Sequence, residues 1–453
     1  MGQEVVRFFN SILVLGHPLR RFKRMRKVSF NQKGKISFLW CLIVVFFVFA
    51  SLCHNSFGKE NGGLQSSNTV TGPLDSKYLR NVPPEVFKHQ NGLTMFDHTE
   101  GKFVFMPWES EQTAKQAIRR LKKNNGGVIY FSPGEYVVRR NGILIFGISN
   151  LSLVAVPGVR LVFPPPGDEV VARVLRCVES GEQEIFVDSS CALHSDWRYQ
   201  IYSANGRHRL LEFFIAKIED NKIYLKSPAR IMNSLSSIPK GSQILENLNF
   251  FVIAGSNDIR IEGFEFDGRN RGNVSGHTIY CGILVMNNFH RARELGGPHF
   301  QNISIRNNVF KNFSGRGFAA YGAGNVVCQN NRFENIQAQA IEIDHYSYGR
   351  VSRNSIYGST VAVVLNDAFN TLVEENLITK CRYGISFVSH FNESWVNTKN
   401  VVRNNTFIGP GERGVRLSAK SWYNIVEKNK FINIKRPIID DGMHNRISDN
   451  EID

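Results

Sequence analysis

Cysteine is scarce: seven occur in 453 residues, and none is spaced with histidine as a structural zinc site requires. Cys41 and Cys53 lie in one charge-free run, which leaves five elsewhere, an odd number. Of these, Cys177 and Cys191 flank a hairpin-like stretch and could bridge in an oxidising compartment. Acidic residues are also short, 39 against 55 lysines and arginines, for a formal net charge of +16. The excess is concentrated. Residues 1–35 carry nine basic residues against the single acid Glu4, so eight of the sixteen surplus charges fall in under a tenth of the length. Such clustering points to a topology signal and a contact with anionic lipid, and away from nucleic acid as a partner. The last third also lacks the 3.6-residue apolar stripes of helical repeats and the spacing of leucine-rich repeats.

That third instead carries a regular asparagine. The unit Asn-x-apolar recurs at Asn308, Asn331, Asn354, Asn376, Asn405, Asn429 and Asn450, with gaps of 23, 23, 22, 29, 24 and 21 residues. Three residues before each stands Ile305, Cys328, Val351, Val373, Val402, Val426 or Ile447. Cys328 therefore reads as a small core residue. The surrounding segments alternate apolar and polar residues and are rich in Val, Ile and Phe, as short strands are. One turn of such a chain cannot bury its own face and must stack on the next. Asparagine tolerates the left-handed conformation at sharp bends, and stacked copies can hydrogen-bond in a ladder. An all-β solenoid, a right-handed parallel β-helix, satisfies these observations.

Upstream, Ile36 to Cys53 is eighteen residues without a charge. As a helix it spans about 27 Å, close to a bilayer's hydrocarbon core. Basic residues precede it and none follows immediately, which places the N-terminus in the cytoplasm. We read 36–53 as a transmembrane signal anchor in contact with the lipid bilayer, because the apolar run exceeds that of a cleaved signal peptide. Residues 54–95 are polar and turn-rich, a stalk. Residues 96–453 then form the domain outside the cytoplasm, periplasmic, luminal or extracellular. Residues 170–248 interrupt the regular spacing with strand-like runs of their own, an inserted β subdomain.

A second stretch joins the asparagine pattern. Ala114, Ala117, Ile118 and Leu121 form one apolar helical stripe, followed by Gly126-Gly127-Val128-Ile129-Tyr130-Phe131-Ser132-Pro133-Gly134. Helix, glycine-rich turn and first strand resemble the N-terminal cap of the pectin-lyase-like β-helix superfamily, over residues 95 to 453. A solenoid needs such a cap because its end exposes apolar core and unpaired strand edges. The resemblance implies the fold and leaves the chemistry open.

Counting about 13 residues on from each ladder asparagine brings polar residues to a second face. Tyr321, Asp344 and Asp367 stand 13 residues after their asparagines; His345 and His390 stand 14 after theirs. Arg416 and Lys420 fall near the same face of the following coil. Neighbouring coils lie about 4.8 Å apart, so these groups are expected to converge. In Glu342-Ile343-Asp344-His345-Tyr346, strand alternation sends Glu342 and Asp344 to one side and Ile341 and Ile343 into the core. A carboxylate beside a histidine orients the imidazole for proton abstraction. The expected catalytic set is His345, Asp344, Tyr321 and Arg416, with Glu342, Asp367, His390 and Lys420 holding substrate. Mannuronan C5-epimerases of this fold carry Asp-Pro-His with a nearby tyrosine; Asp344-His345 is similar but lacks the proline. The arginine-rich signature of pectate lyases and the Gly-His-Gly element of polygalacturonases are absent.

The expected activity is C5-proton abstraction from an acidic polysaccharide, ending in epimerisation or β-elimination. Three alternatives stand beside it. Paired carboxylates among Glu342, Asp344 and Asp367 could hydrolyse a glycosidic bond, or the same face could grip a glycan without chemistry. His345 and Asp344 could also simply satisfy turn backbone. No cofactor is required by these residues, although Asp344 and Asp367 could hold Ca²⁺. A capped β-helix can be monomeric.

Overall fold

The computed structural model describes residues 82–453, apart from 140–141, 165–169, 192, 194–197, 206–207, 233–234, 247, 270–279, 287–301, 346–347 and 390–395. The basic tail 1–35, the anchor 36–53, the stalk up to residue 81, Tyr346 and His390 lie outside the described residues. Among the described residues no helix is long and apolar enough to cross a membrane.

One coil of the solenoid is three short strands. Ile303–Arg306 leads to Val309–Phe313, then to Arg316–Tyr321, and Val326–Gln329 opens the next coil. Corresponding strands of successive coils pair in parallel. Repetition builds sheets of twelve, ten and nine strands. Alternation assigns the faces: Ile303 and Ile305 point inward, Ser304 and Arg306 outward. One apolar core runs from Val86 to Phe431 between the sheets.

The asparagine ladder occupies the bend between the twelve- and ten-stranded sheets. Asn308 Nδ2 donates to Asn331 Oδ1 at 3.1 Å, and the contact repeats through Asn354, Asn376, Asn405 and Asn429 to Asn450. Each of these oxygens also accepts the peptide N–H of the asparagine one coil earlier, as Asn354 Oδ1 does from Asn331 N at 2.9 Å. The left-handed residue, however, is not the ladder asparagine. It is the residue before it: Asn307, Asn330, Arg353, Glu375, Asn404, Lys428 and Asp449 have φ of 54–56°. The ladder position is thus fixed by buried amide hydrogen bonding, whereas the exposed bend tolerates several side chains.

The apolar residue two places after each asparagine from Asn308 to Asn429 stacks in the core, whereas Ile452, after Asn450, is exposed. The rings of Phe266, Phe310 and Phe333 lie 4.8 and 4.7 Å apart, centre to centre. Glycine at the start of the facing strand makes room for them. A Cβ on Gly317 would stand 2.7 Å from Phe333 Cδ1 and 2.7 Å from the Ala340 carbonyl oxygen. Gly317→Val is therefore expected to lower stability by about 1–3 kcal/mol through overpacking. Thermal unfolding checks this, and an unchanged midpoint would refute it.

The solenoid begins earlier than the sequence suggests. Val86, Leu93 and Met95 are fully buried in the core, inside the stretch read as stalk. Gly92–Asp97 pairs antiparallel with both Lys102–Pro107 and Gly127–Phe131, closing the first edge of the twelve-stranded sheet. Helix Glu111–Lys122 packs on the first strands and buries Ala114, Ala117, Ile118 and Leu121. Ser110 caps it, with Glu111 in the first turn and Arg119, Arg120 and Lys122 in the last. Between Val162 and Leu248 the chain builds a six-stranded antiparallel sheet with its own core, including Ile185, Tyr199, Ile201 and Ile223. Cys177 and Cys191 are exposed, unbridged thiols.

Candidate functional site

The C-terminal ends of three adjacent strands in the nine-stranded sheet meet at Arg316–Tyr321, Gln339–Asp344 and Val361–Asn366. In the middle strand Ile341 and Ile343 enter the core, while Glu342 and Asp344 take the outer side yet remain 5% and 4% exposed. His345 then turns the chain with φ 54°, its N–H donating to the Asn366 carbonyl at 2.9 Å. This left-handed bend brings Nδ1 of the imidazole onto Asp344 Oδ1. The other Asp344 oxygen accepts from Asn366 Nδ2 at 3.0 Å. One coil further, Asp367 makes the same bend, with φ 48°, and its Oδ2 lies 3.6 Å from His345 Nε2.

The counting rule placed Asp344 and Asp367 in one column, but the register differs. Tyr321 pairs with Asp344, and Asp344 with Asn366. The ladder step from Asn331 to Asn354 is 23 residues but the strand step from Asp344 to Asn366 is 22, so Asp367 stands one position further on and meets His345 instead. The slip creates the cluster: one imidazole between two carboxylates on successive coils.

Beside it lies a second set. Glu342 Oε2 accepts from the Tyr321 hydroxyl at 3.0 Å and pairs with the Arg316 guanidinium. Arg316 was not anticipated. It stands eight residues after Asn308, at the opposite end of its strand from Tyr321, where the count of 13 does not look. The available signal was its place immediately before the strand glycine, Gly317.

Arg416, expected near His345, is not there. The column from Glu342 runs through Val364 and Ser386 before Arg416, three coils away, and Arg416 faces Asp441 at 3.5 Å. At about 4.8 Å per coil that is roughly 14 Å. Lys420 lies beyond it on the same coil, its carbonyl accepting from the Asn397 N–H. At Asp344 one carboxylate oxygen accepts from Asn366 Nδ2 and the other lies against the His345 imidazole. Among the described residues no group of three or more His, Cys, Asp or Glu side chains is arranged to hold a metal.

Burial, reinforced by the Glu342 carboxylate, pushes the Tyr321 hydroxyl well above its ordinary pKa, so it stays protonated. Burial opposes the Arg316 charge, but Tyr321, Glu342, Cys281 and Asp344 outweigh it and raise its pKa. Cys281, packed nearby, is pushed up to about 12 by burial and is a neutral thiol rather than a nucleophile. Burial likewise raises Tyr130 and Tyr136. A phenol whose folded pKa exceeds its unfolded value of about 10 stabilises below that pH and loses this contribution above it. Unfolding midpoints measured from pH 8 to 11 should therefore fall above about pH 10. Tyr321→Phe should flatten that fall, and an identical profile would contradict the assignment.

Against this geometry stand the comparisons with known proteins. A family model described as "Right handed beta helix region" matches residues 298–452. The fold is a right-handed parallel β-helix. No curated protein matches the sequence. Among solved β-helices, the A-module of a mannuronan C-5 epimerase from Azotobacter vinelandii is 11% identical, covering 76% of this chain and 95% of that one, with a TM-score of 0.29. An exopolygalacturonase from Thermotoga maritima is also 11% identical, covering 76% and 87%, with a TM-score of 0.37. A tailspike protein of E. coli bacteriophage HK620, solved with a pentasaccharide, is 11% identical, covering 78% and 64%, with a TM-score of 0.41.

Proposed function

We propose that this β-helix acts on an acidic polysaccharide by removing the C5 proton of a uronate unit, with His345 as the base. The observation that carries the reading is the imidazole set between Asp344 and Asp367. Its Nδ1 engages Asp344, which leaves Nε2 as the nitrogen that exchanges protons. In the reaction the C5–H bond breaks and the proton passes to Nε2. The electron pair delocalises into the adjoining carboxylate, and Asp344 and Asp367 steady the imidazolium that forms. Arg316 supplies positive charge at the cluster and holds Glu342 and Tyr321 in place. Tyr321, protonated, is the group that returns a proton to the opposite face, giving the C5 epimer. Loss of the C4 substituent instead gives an unsaturated sugar. Arg416, three coils away, falls to binding a more distant unit of the polymer.

The geometry favours this over hydrolysis. Asp344 and Asp367 flank one imidazole rather than a substrate-sized gap, and Glu342 accepts from two donors, which is the opposite of a general acid. Residues 36–53 would anchor the enzyme in the membrane and present the β-helix outside the cytoplasm, where such polymers occur.

The test uses the full-length protein in detergent with a panel of polyuronates in deuterated water. Loss of the C5 proton signal by NMR is the expected result, and absorbance from a new double bond distinguishes elimination from epimerisation. New reducing ends without exchange would sink the proposal in favour of hydrolysis. No change in any polymer would leave a binding protein.

A further inference from the structure

The outer face of the twelve-stranded sheet carries a ladder of charge unrelated to His345. One outward column runs Glu262, Arg306, Gln329, Ser352, Glu374, Arg403 on successive coils. Arg260 and Arg350 flank it, two residues earlier on their own strands. Most of these charges are matched. Glu262 pairs with Arg260 and accepts from Asn307 Nδ2 at 2.7 Å. Glu374 holds Arg350 at 2.7 Å on one oxygen and Arg403 at 2.8 Å on the other.

Arg306 is left over. It is half-buried, makes no ion pair among the described residues, and its Nε is enclosed without a hydrogen-bond partner. Burial lowers its pKa, and the nearby charges of Arg260 and Arg350 add to the effect against Glu262. A second, independent observation stands two rungs down the same column. Ser352 is fully buried and its hydroxyl also has no partner. A buried hydroxyl and a half-buried guanidinium without acceptors each cost free energy unless something completes them. Glutamine 329, on the rung between, adds an amide. Four arginines face two glutamates here, a surplus of two positive charges.

We infer that Arg306, with Gln329, Ser352 and the flanking Arg260 and Arg350, forms a binding site for a tetrahedral dianion, a sulfate or phosphate group. The planar fork of Arg306 suits two oxygens of such a group, and the double negative charge balances the surplus. The group is either a free inorganic ion or an ester carried on a glycan chain. The site lies on a different sheet from His345 and does not depend on the C5-abstraction reading.

Calorimetric titration of the full-length protein at constant ionic strength tests it. Inorganic sulfate and inorganic phosphate are the first probes, and a sulfated oligosaccharide beside its desulfated counterpart the second. Saturable binding of one anion per chain is expected. Arg306→Gln should weaken it about ten- to a hundredfold, as loss of a charge-assisted contact does, with circular dichroism unchanged. Arg306→Lys, which keeps the charge but not the fork, should fall between. Tighter binding of the sulfated sugar than of sulfate identifies the ester as ligand, and equal binding identifies the inorganic ion. Absence of saturable binding by every probe, or equal affinity in folded Arg306→Gln, overturns the inference.

Discussion

Alanine at position 354 is expected to destabilise the β-helix by roughly 4 kcal/mol, about 1 kcal/mol for each buried hydrogen bond lost. The Asn354 side chain accepts from Asn331 N at 2.9 Å and from Asn331 Nδ2 at 3.1 Å. It donates to the Cys328 carbonyl at 2.9 Å and to Asn376 Oδ1 at 3.0 Å. All these partners are buried, so water cannot replace the missing amide, and the Asn331 peptide N–H is left without an acceptor. Asn450, at the last described coil, is the internal control. It accepts from Asn429 N and Nδ2 at 3.0 Å and donates to the Val426 carbonyl at 2.9 Å, but it is partly exposed, so solvent can replace part of these contacts and Asn450→Ala should cost less, about 1–2 kcal/mol. Urea unfolding of the two variants checks the contrast. Equal costs would mean that the ladder is decoration and that apolar stacking alone holds the coils.

The ladder was legible because it repeats with the coil length and admits one chemistry. A buried position that must both donate and accept on two coils selects asparagine each time. The left-handed residue beside it was misplaced, since Arg353, Glu375 and Lys428 satisfy the bend as well as Asn307 does, and a varied column leaves no pattern. A second ladder, Asn400, Asn424 and Asn445, escaped notice for a related reason. Its Nδ2 to Oδ1 contacts of 3.0 Å join only three coils, too few to show as a period. The start of the solenoid was hidden differently. Leu93 and Met95 lie in an antiparallel edge that obeys no coil repeat, so turn-rich neighbours made the segment read as stalk.

At the site, Glu342, Asp344 and His345 were legible through strand alternation within one coil. Contacts between coils were not, because a single-residue change in coil length moves every later side chain by one place. Asp367 changed neighbour for that reason. Arg416 drifted three coils away because the 22-, 22- and 30-residue steps from Glu342 through Val364 and Ser386 were compressed into one. Arg316 lay outside the window altogether.

Removing the imidazole with His345→Gln should lower C5 exchange by about 10²–10⁴-fold, the range for a positioned general base. Glutamine keeps an amide that can bond Asp344, so the corner stays folded and the loss reports on proton transfer. Asp344→Asn should lower exchange less, because Asn366 and the His345 backbone contact still locate the ring while its orientation weakens. Tyr321→Phe separates the two halves of the reaction. The phenol donates to Glu342 and is held protonated, so its loss removes proton return on the opposite face and leaves abstraction, and return by the exchanged His345 imidazolium on the same face, intact. In that variant deuterium should still enter C5, but with retention of configuration. If Tyr321→Phe abolishes exchange as completely as His345→Gln, the phenol shapes the site rather than delivering a proton. If His345→Gln leaves exchange unchanged, the two carboxylates beside it serve only the bend, and the base must be sought elsewhere on the nine-stranded sheet.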